Sequence, residues 1–195
     1  MFIVITGLDG TGTSSIAEGL NKIDKDSALV RTPSYEYSDR QSIDENVKKI
    51  SPVAHCLYYL SSVVFMSDKI KQQFDYKDKN VYCVRYLIDT IVSNSTAGVD
   101  IDYGYKILNN ELLKPDLTIF VYCDEQIRQS RINERGKDNL DTILDNDEIR
   151  QKFLSKFDAL LEHDKTIFVN NNRKLDEIVN DCYVEIQKFS KGLER

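Results

Sequence analysis

Only two histidines, His55 and His163, occur in this chain, and its four cysteines (Cys56, Cys83, Cys123 and Cys182) stand far apart with no C-x-x-C pair. These absences exclude a zinc knuckle, a paired redox centre and a histidine-based metal set. The cysteines are expected as buried thiols in a reducing compartment. Positive charge is also scarce. Against 32 Asp and Glu stand 26 Lys and Arg, for a net charge of −6. That argues against a nucleic-acid partner and confines any phosphate recognition to a local site. Long hydrophobic runs are missing too. The apolar stretch at residues 1–6 is too short for the centre of a signal peptide, and charge interrupts every longer one. Neither a membrane span nor a membrane partner is expected, and a cytoplasmic location is. No internal repeat, low-complexity tract or long linker divides the 195 residues, a length suited to one domain with a substantial core.

What the chain does have is a series of short β-favouring apolar runs, at residues 2–6, 27–31, 80–84, 117–122 and 166–169. Continuous rather than alternating apolarity is what strands buried on both faces of a parallel sheet require. Helical patterns separate them. One begins at residues 14–20. Another covers 52–73, where Pro52 suits a first turn and Leu57, Leu60, Val63, Val64 and Ile70 supply apolar positions. Residues 103–113 form a shorter one ending before Pro115, followed by 124–133, 148–161 and 174–189. The last carries Leu175, Ile178, Val179, Cys182, Ile186 and Phe189 on one stripe. The alternation predicts an α/β fold: a five-stranded parallel sheet flanked by helices, with right-handed crossovers. The polar residues 136–147 read as a mobile loop.

Directly after the first run comes Gly7-Leu8-Asp9-Gly10-Thr11-Gly12-Thr13-Ser14-Ser15. Gly7 and Gly12 take the two glycine places of the phosphate-loop pattern G-x-x-x-x-G-K-[ST], and Ser14 takes the hydroxyl place. In such a loop successive backbone N–H groups point inward and the following helix adds positive potential, so phosphate binds even without side chains. A glycine-rich turn with no ligand is the alternative, and the strand before and helix after weigh against it. The loop predicts a nucleotide-phosphate ligand, with Ser14 ligating Mg2+. At Thr13, however, a short neutral hydroxyl replaces the lysine that reaches the β- and γ-phosphates.

Further along stand Val81-Tyr82-Cys83-Val84-Arg85-Tyr86, Lys114-Pro115-Asp116-Leu117-Thr118-Ile119-Phe120 and Arg131-Ile132-Asn133-Glu134-Arg135-Gly136-Lys137. Together with the loop, and in this order, they resemble the thymidylate kinase family of P-loop nucleoside monophosphate kinases. They match its opening strand and loop, its Asp-Arg-Tyr strand end, its Pro-Asp-Leu strand start and its arginine-bearing lid. The resemblance implies a P-loop kinase fold with a short lid at about residues 134–147, ATP and Mg2+ as cofactors, and a small-molecule nucleotide substrate. It places Asp9 near the acceptor's sugar hydroxyl and the metal, Arg85 on the acceptor's phosphate, and Arg131 and Arg135 over the donor's phosphates. It also implies a homodimer packed through residues 52–73. Arg31 and Pro33 fall near the family's Arg-Glu-Pro turn.

Three departures touch the chemistry. Thr13 replaces lysine, Val84 replaces the aspartate that orients Mg2+ and its waters, and Val92-Ser93-Asn94 stands where Ala-Tyr-Gln helps hold the base. Losing one preorganised donor at a reacting centre costs about 2–4 kcal/mol of transition-state stabilisation. The expectation is therefore a nucleoside monophosphate kinase in which Arg128, Arg131, Arg135 or Lys137 swings in for the lysine. The alternatives are a nucleotide-binding protein of kinase descent with little turnover, or a kinase with a changed acceptor. Asp89 reads as a helix-surface carboxylate, and Phe65 or Tyr86 as candidates to stack on a base, with a plain core role as the alternative.

Overall fold

The computed structural model describes residues 1–101, 108, 110–137 and 139–193, with the side chains of Asn139, Leu140 and Leu193 excepted. The apolar runs form strands β1 (Phe2–Gly7), β2 (Ala28–Arg31), β3 (Val81–Val84), β4 (Leu117–Tyr122) and β5 (Thr166–Asn170). They build one parallel sheet in the order β2-β3-β1-β4-β5. Its central strand β1 and its neighbour β3 are buried along their whole length, whereas the edge strands β2 and β5 are only partly covered. That difference follows from having a helix layer on both faces but a strand neighbour on only one side at each edge.

The longer helices are α1 (Thr13–Ile23), α2 (Pro52–Gln73), α3 (Leu87–Thr96), α4 (Glu125–Arg135), α5 (Asn139–Leu144), α6 (Asp147–Leu160) and α7 (Leu175–Leu193). On one face of the sheet Phe2, Val4 and Cys83 pack against Leu60, Val63, Met66 and Ile70 of α2 and Leu87 and Ile91 of α3. On the other, Ile3, Ile5 and Tyr82 meet Ile16, Ala17 and Leu20 of α1 and Ile178, Val179 and Ile186 of α7. Full burial of one such aliphatic side chain is worth about 1.5–3 kcal/mol. Packing, not helix propensity, therefore holds α1, which carries Gly19 in its interior; a Cβ there would stand 2.5 Å from Val179 Cγ2 of α7. A third cluster joins Leu8 and Phe120 to Leu144, Phe153 and Phe157, tying the loop after β1 to α5 and α6. Ser51 caps α2 by accepting from the Ala54 amide at 3.1 Å, and Pro52 takes its first turn.

The predicted fold class and all five strands are present, but the helix reading needs corrections. Residues 136–147 are not simply loop: they hold α5, and Leu144 is buried in the third cluster. Helix α3, which the sequence reading marked only through Asp89, and the short helical turns Arg40–Ser42, Ile43–Val47 (of π type) and Lys48–Ile50, which it did not mark, complete the set. The pattern at 103–113 lies mostly outside the described residues; Leu108, Asn110 and Glu111 are helical. Cys56, Cys83 and Cys182 are buried as expected, and Cys123 only partly. No described helix is long and apolar enough to cross a membrane.

Candidate functional site

The site lies at the carboxyl ends of the strands, beside β1, where the connections leave in opposite directions; open α/β sheets bind ligands at such points. Between β1 and α1 the chain makes a tight turn in which Thr11 returns both its amide and its hydroxyl to the Leu8 carbonyl, at 3.2 and 2.8 Å. Gly10 and Gly12 adopt φ values of 83° and 95°, a region that favours glycine. At Gly12 a Cβ would also stand 2.3 Å from Asn171 Nδ2. Donors from behind secure the loop's carbonyls. Asn171 Nδ2 donates to Thr11 O at 2.7 Å, Arg131 Nη1 donates to the same oxygen at 3.3 Å, and Arg128 Nη1 donates to Asp9 O at 3.0 Å. At the other side of the turn α1 begins at Gly12 without any side-chain cap. Its first-turn amides face the position an anion would occupy, which is the chemistry phosphate needs.

Arg85 follows β3 and is anchored by its own amide to Ile5 O at 3.0 Å. Its φ of 65° turns the side chain out of the strand direction, and its guanidinium pairs with the Asp9 carboxylate. The structure thus brings together Asp9 and Arg85, 76 residues apart. Asp89 is not a surface carboxylate. It accepts from Thr6 Oγ1 at 2.7 Å and from the Tyr86 amide at 3.0 Å, capping α3. Burial raises its carboxyl above the ordinary value, partly offset by Arg85. Val84 is packed in the core. Among the described residues no three acids, histidines or cysteines cluster as a metal site. Magnesium usually takes few protein ligands and keeps waters and substrate phosphates, so the Ser14 hydroxyl suits it; there the ion would neutralise phosphate charge.

The cations of α4 and Lys137 just beyond it are all engaged. Arg128 is 1% exposed. It holds Glu125 through Nε at 2.7 Å and Nη2 at 2.8 Å, and reaches Leu144 O at 3.4 Å. That is a structural role, not that of a side chain ready to swing. Arg131 bonds Thr11 O and, at 3.0 Å, Asn171 O. Arg135 grips both oxygens of the fully buried Asp141, at 2.9 and 2.8 Å. Lys137 pairs with Asp145 at 2.9 Å. From the opposite side, at the end of β2, Arg31 Nη2 donates to Ser14 Oγ at 3.2 Å.

Where the base-holding segment was expected, Val92 and Asn94 are buried. Asn94 donates to Thr90 O at 2.9 Å, and its Oδ1 lies 3.2 Å from His55 Nδ1. His55 Nε2 lies 2.9 Å from Asp44 Oδ1, which also accepts from Tyr59 OH at 2.8 Å. Burial alone would raise the Asp44 carboxyl, but the hydrogen bonds from His55 and Tyr59 outweigh it and hold the group below its ordinary value. Burial and the bond to Asp44 push the Tyr59 phenol up to about 12. The sequence reading missed this cluster: Asp44 sits in a helical turn with no hydrophobic period to announce it. Tyr86, one of the stacking candidates, is 3% exposed and packs edge-on against Phe2, so it belongs to the core. Phe65 is exposed and neighbours Tyr37.

A thymidylate kinase family model matches residues 5–182. The chain is 30% identical to a probable thymidylate kinase of Pyrobaculum aerophilum, over 69% of this chain and 71% of that one. It is 26% identical to a probable thymidylate kinase of Methanocaldococcus jannaschii over 93% of each. With the thymidylate kinase of Ligilactobacillus salivarius it shares 24% over 96% of this chain and 98% of the other. The solved structure of thymidylate kinase from Candida albicans has the same fold, with a TM-score of 0.76 and 20% identity over 96% of this chain and 91% of that one.

Proposed function

The chain belongs to the thymidylate kinase family and is a nucleoside monophosphate kinase, and we propose that it carries the γ-phosphoryl group of ATP, with Mg2+, to a pyrimidine deoxynucleoside monophosphate. In that reaction an oxygen of the acceptor's phosphate forms a bond to Pγ. The bond from Pγ to the oxygen bridging it to Pβ breaks, leaving ADP and a nucleoside diphosphate. Protein groups contribute by positioning and by charge stabilisation. The loop Gly7–Ser15 cradles the donor's phosphates, and Ser14 would hold the metal, which would neutralise phosphate charge there. Arg85 grips the acceptor's phosphate as a planar, permanently charged fork, and Asp9 orients it beside the sugar. Arg131 of α4 and Arg135 of a lid at about residues 134–147 close over the donor, so Arg131 must first leave the Thr11 and Asn171 carbonyls and Arg135 must leave Asp141. We assign the molecule to the cytoplasm as a homodimer without nucleic-acid or membrane partners.

The observation that carries this reading is the meeting of the phosphate loop with the Asp9–Arg85 pair at the carboxyl ends of β1 and β3. The test is a screen of nucleoside monophosphates with ATP, comparing the wild type with Arg85→Ala. A loss of about a hundredfold in turnover is expected for the variant. Wild-type product no higher than the Arg85→Ala background defeats the proposal.

Thr13 and Val84 favour a second reading, a protein that binds nucleotide with little turnover. Calorimetry showing tight ATP binding alongside turnover indifferent to Arg85→Ala supports it, and a clear fall in that variant removes it. The segment Val92-Ser93-Asn94 favours a third reading, a changed nucleoside or nucleotide acceptor, since Asn94 is committed to Thr90 and His55. The same screen exposes it.

A further inference from the structure

We propose that Arg31 performs the task of the missing loop lysine, gripping the β- and γ-phosphates of the donor nucleotide from the end of β2. The inference rests on the reading of the loop as a donor-phosphate site. Its first support is position. Thr13 offers only a buried hydroxyl where a lysine would extend across the loop. The Arg31 guanidinium instead reaches the next residue, lying 3.2 Å from Ser14 Oγ on the open side of the turn.

Its second support is charge. Arg128, Arg135 and Lys137 are each paired with a carboxylate, Arg85 is paired with Asp9, and Arg131 is bound to two backbone carbonyls. Arg31 touches a neutral hydroxyl and is exposed. Among the described cations around the loop, it therefore has the least to give up when a polyanion arrives.

The third support connects the two departures from the family's pattern. Arg31 and Val84 are register partners in adjacent parallel strands, so their side chains rise from the same face a few ångströms apart. An aspartate at position 84 would compete with phosphate for the guanidinium. With valine there, the charge stays available. The cation has in effect moved from the loop to β2, and the acid that would neutralise it is gone. A guanidinium suits the task, since its fork can bond two phosphate oxygens at once.

The test measures ATP affinity by calorimetry, and turnover and acceptor affinity separately, for wild type, Arg31→Ala, Arg31→Lys and the double variant Arg31→Ala with Thr13→Lys. Circular dichroism checks that each is folded. Arg31→Ala should weaken ATP binding about tenfold or more and lower kcat about a hundredfold, with acceptor affinity unchanged. Arg31→Lys should retain part of the loss, and Thr13→Lys should restore most of it, because only a lysine reaching the same phosphates replaces the charge. The inference is overturned if Arg31→Ala binds ATP as the wild type does. It is equally overturned if Thr13→Lys restores nothing, or if the acceptor's affinity falls instead. A wild type that binds no ATP overturns the loop reading along with it.

Discussion

Arg128 shows how one buried residue can join the candidate site to the rest of the molecule. Its guanidinium meets Glu125, the Asp9 carbonyl and the Leu144 carbonyl, and so links α4, the phosphate loop and the end of α5. Arg128→Met keeps much of the apolar volume but removes the Arg128–Glu125 pair and the side-chain donor to the Asp9 carbonyl. Breaking such a buried charge-assisted network typically costs about 3 kcal/mol, and a urea melt should show the lowered midpoint; an unchanged midpoint would contradict the role. A helical arginine next to a Glu three residues earlier reads in sequence as an ordinary solvated pair. Its burial is decided by the phosphate loop and the end of α5, whose Asp9 and Leu144 carbonyls it meets, and no local pattern announces that. Asp89 is similar. Its position one turn into α3 is legible, but its bond to Thr6 depends on β1 lying beside that helix.

At the scale of elements, the phosphate loop and the helical turns at residues 40–50 contrast in how they are specified. The loop's needs are local: amides directed inward and positive φ at Gly10 and Gly12 translate into glycine spacing, and glycine spacing is visible. The turns at 40–50 are held from outside, by Asp44 accepting from Tyr59 and lying 2.9 Å from His55 of α2. Asp44 has a folded-state pKa below its ordinary value of 3.8. An acid depressed in this way contributes stability above its unfolded pKa and loses it as pH falls through the folded one. Between pH 5 and 3 the urea midpoint of wild type should thus fall further than that of Asp44→Asn. Parallel curves would show that Asp44 does not act as this clasp. The start of helix α3 escaped the sequence reading for a related reason. The residue before it is Tyr86, not a Ser, Thr, Asn or Asp, and the cap is supplied from inside the helix by Asp89.

For the whole molecule, the face of α2 turned away from the core bears Val53 (58% exposed), Leu57 (60%) and Phe65 (36%). Exposed apolar residues on one helix suit an interaction surface, and the proposed homodimer would pack through α2. Leu57→Glu puts a charge in the middle of that face. Sedimentation should find a dimer for wild type and a monomer for the variant; a monomeric wild type would refute the assignment.

The sequence by itself determined the sheet and the phosphate loop. Burial on both faces writes unbroken apolar runs into β1, β3 and β4, and a turn built from backbone amides writes its glycines. Both requirements act within a few residues of chain. Only the tertiary structure decided how charges are partnered: Arg85 on Asp9, Arg135 on Asp141, Arg128 beneath the loop and Arg31 on Ser14. These contacts join residues brought close by parallel crossovers and helix packing. Because a guanidinium looks the same in sequence whether it is buried, paired or waiting for a phosphate, the fold alone distributes those tasks.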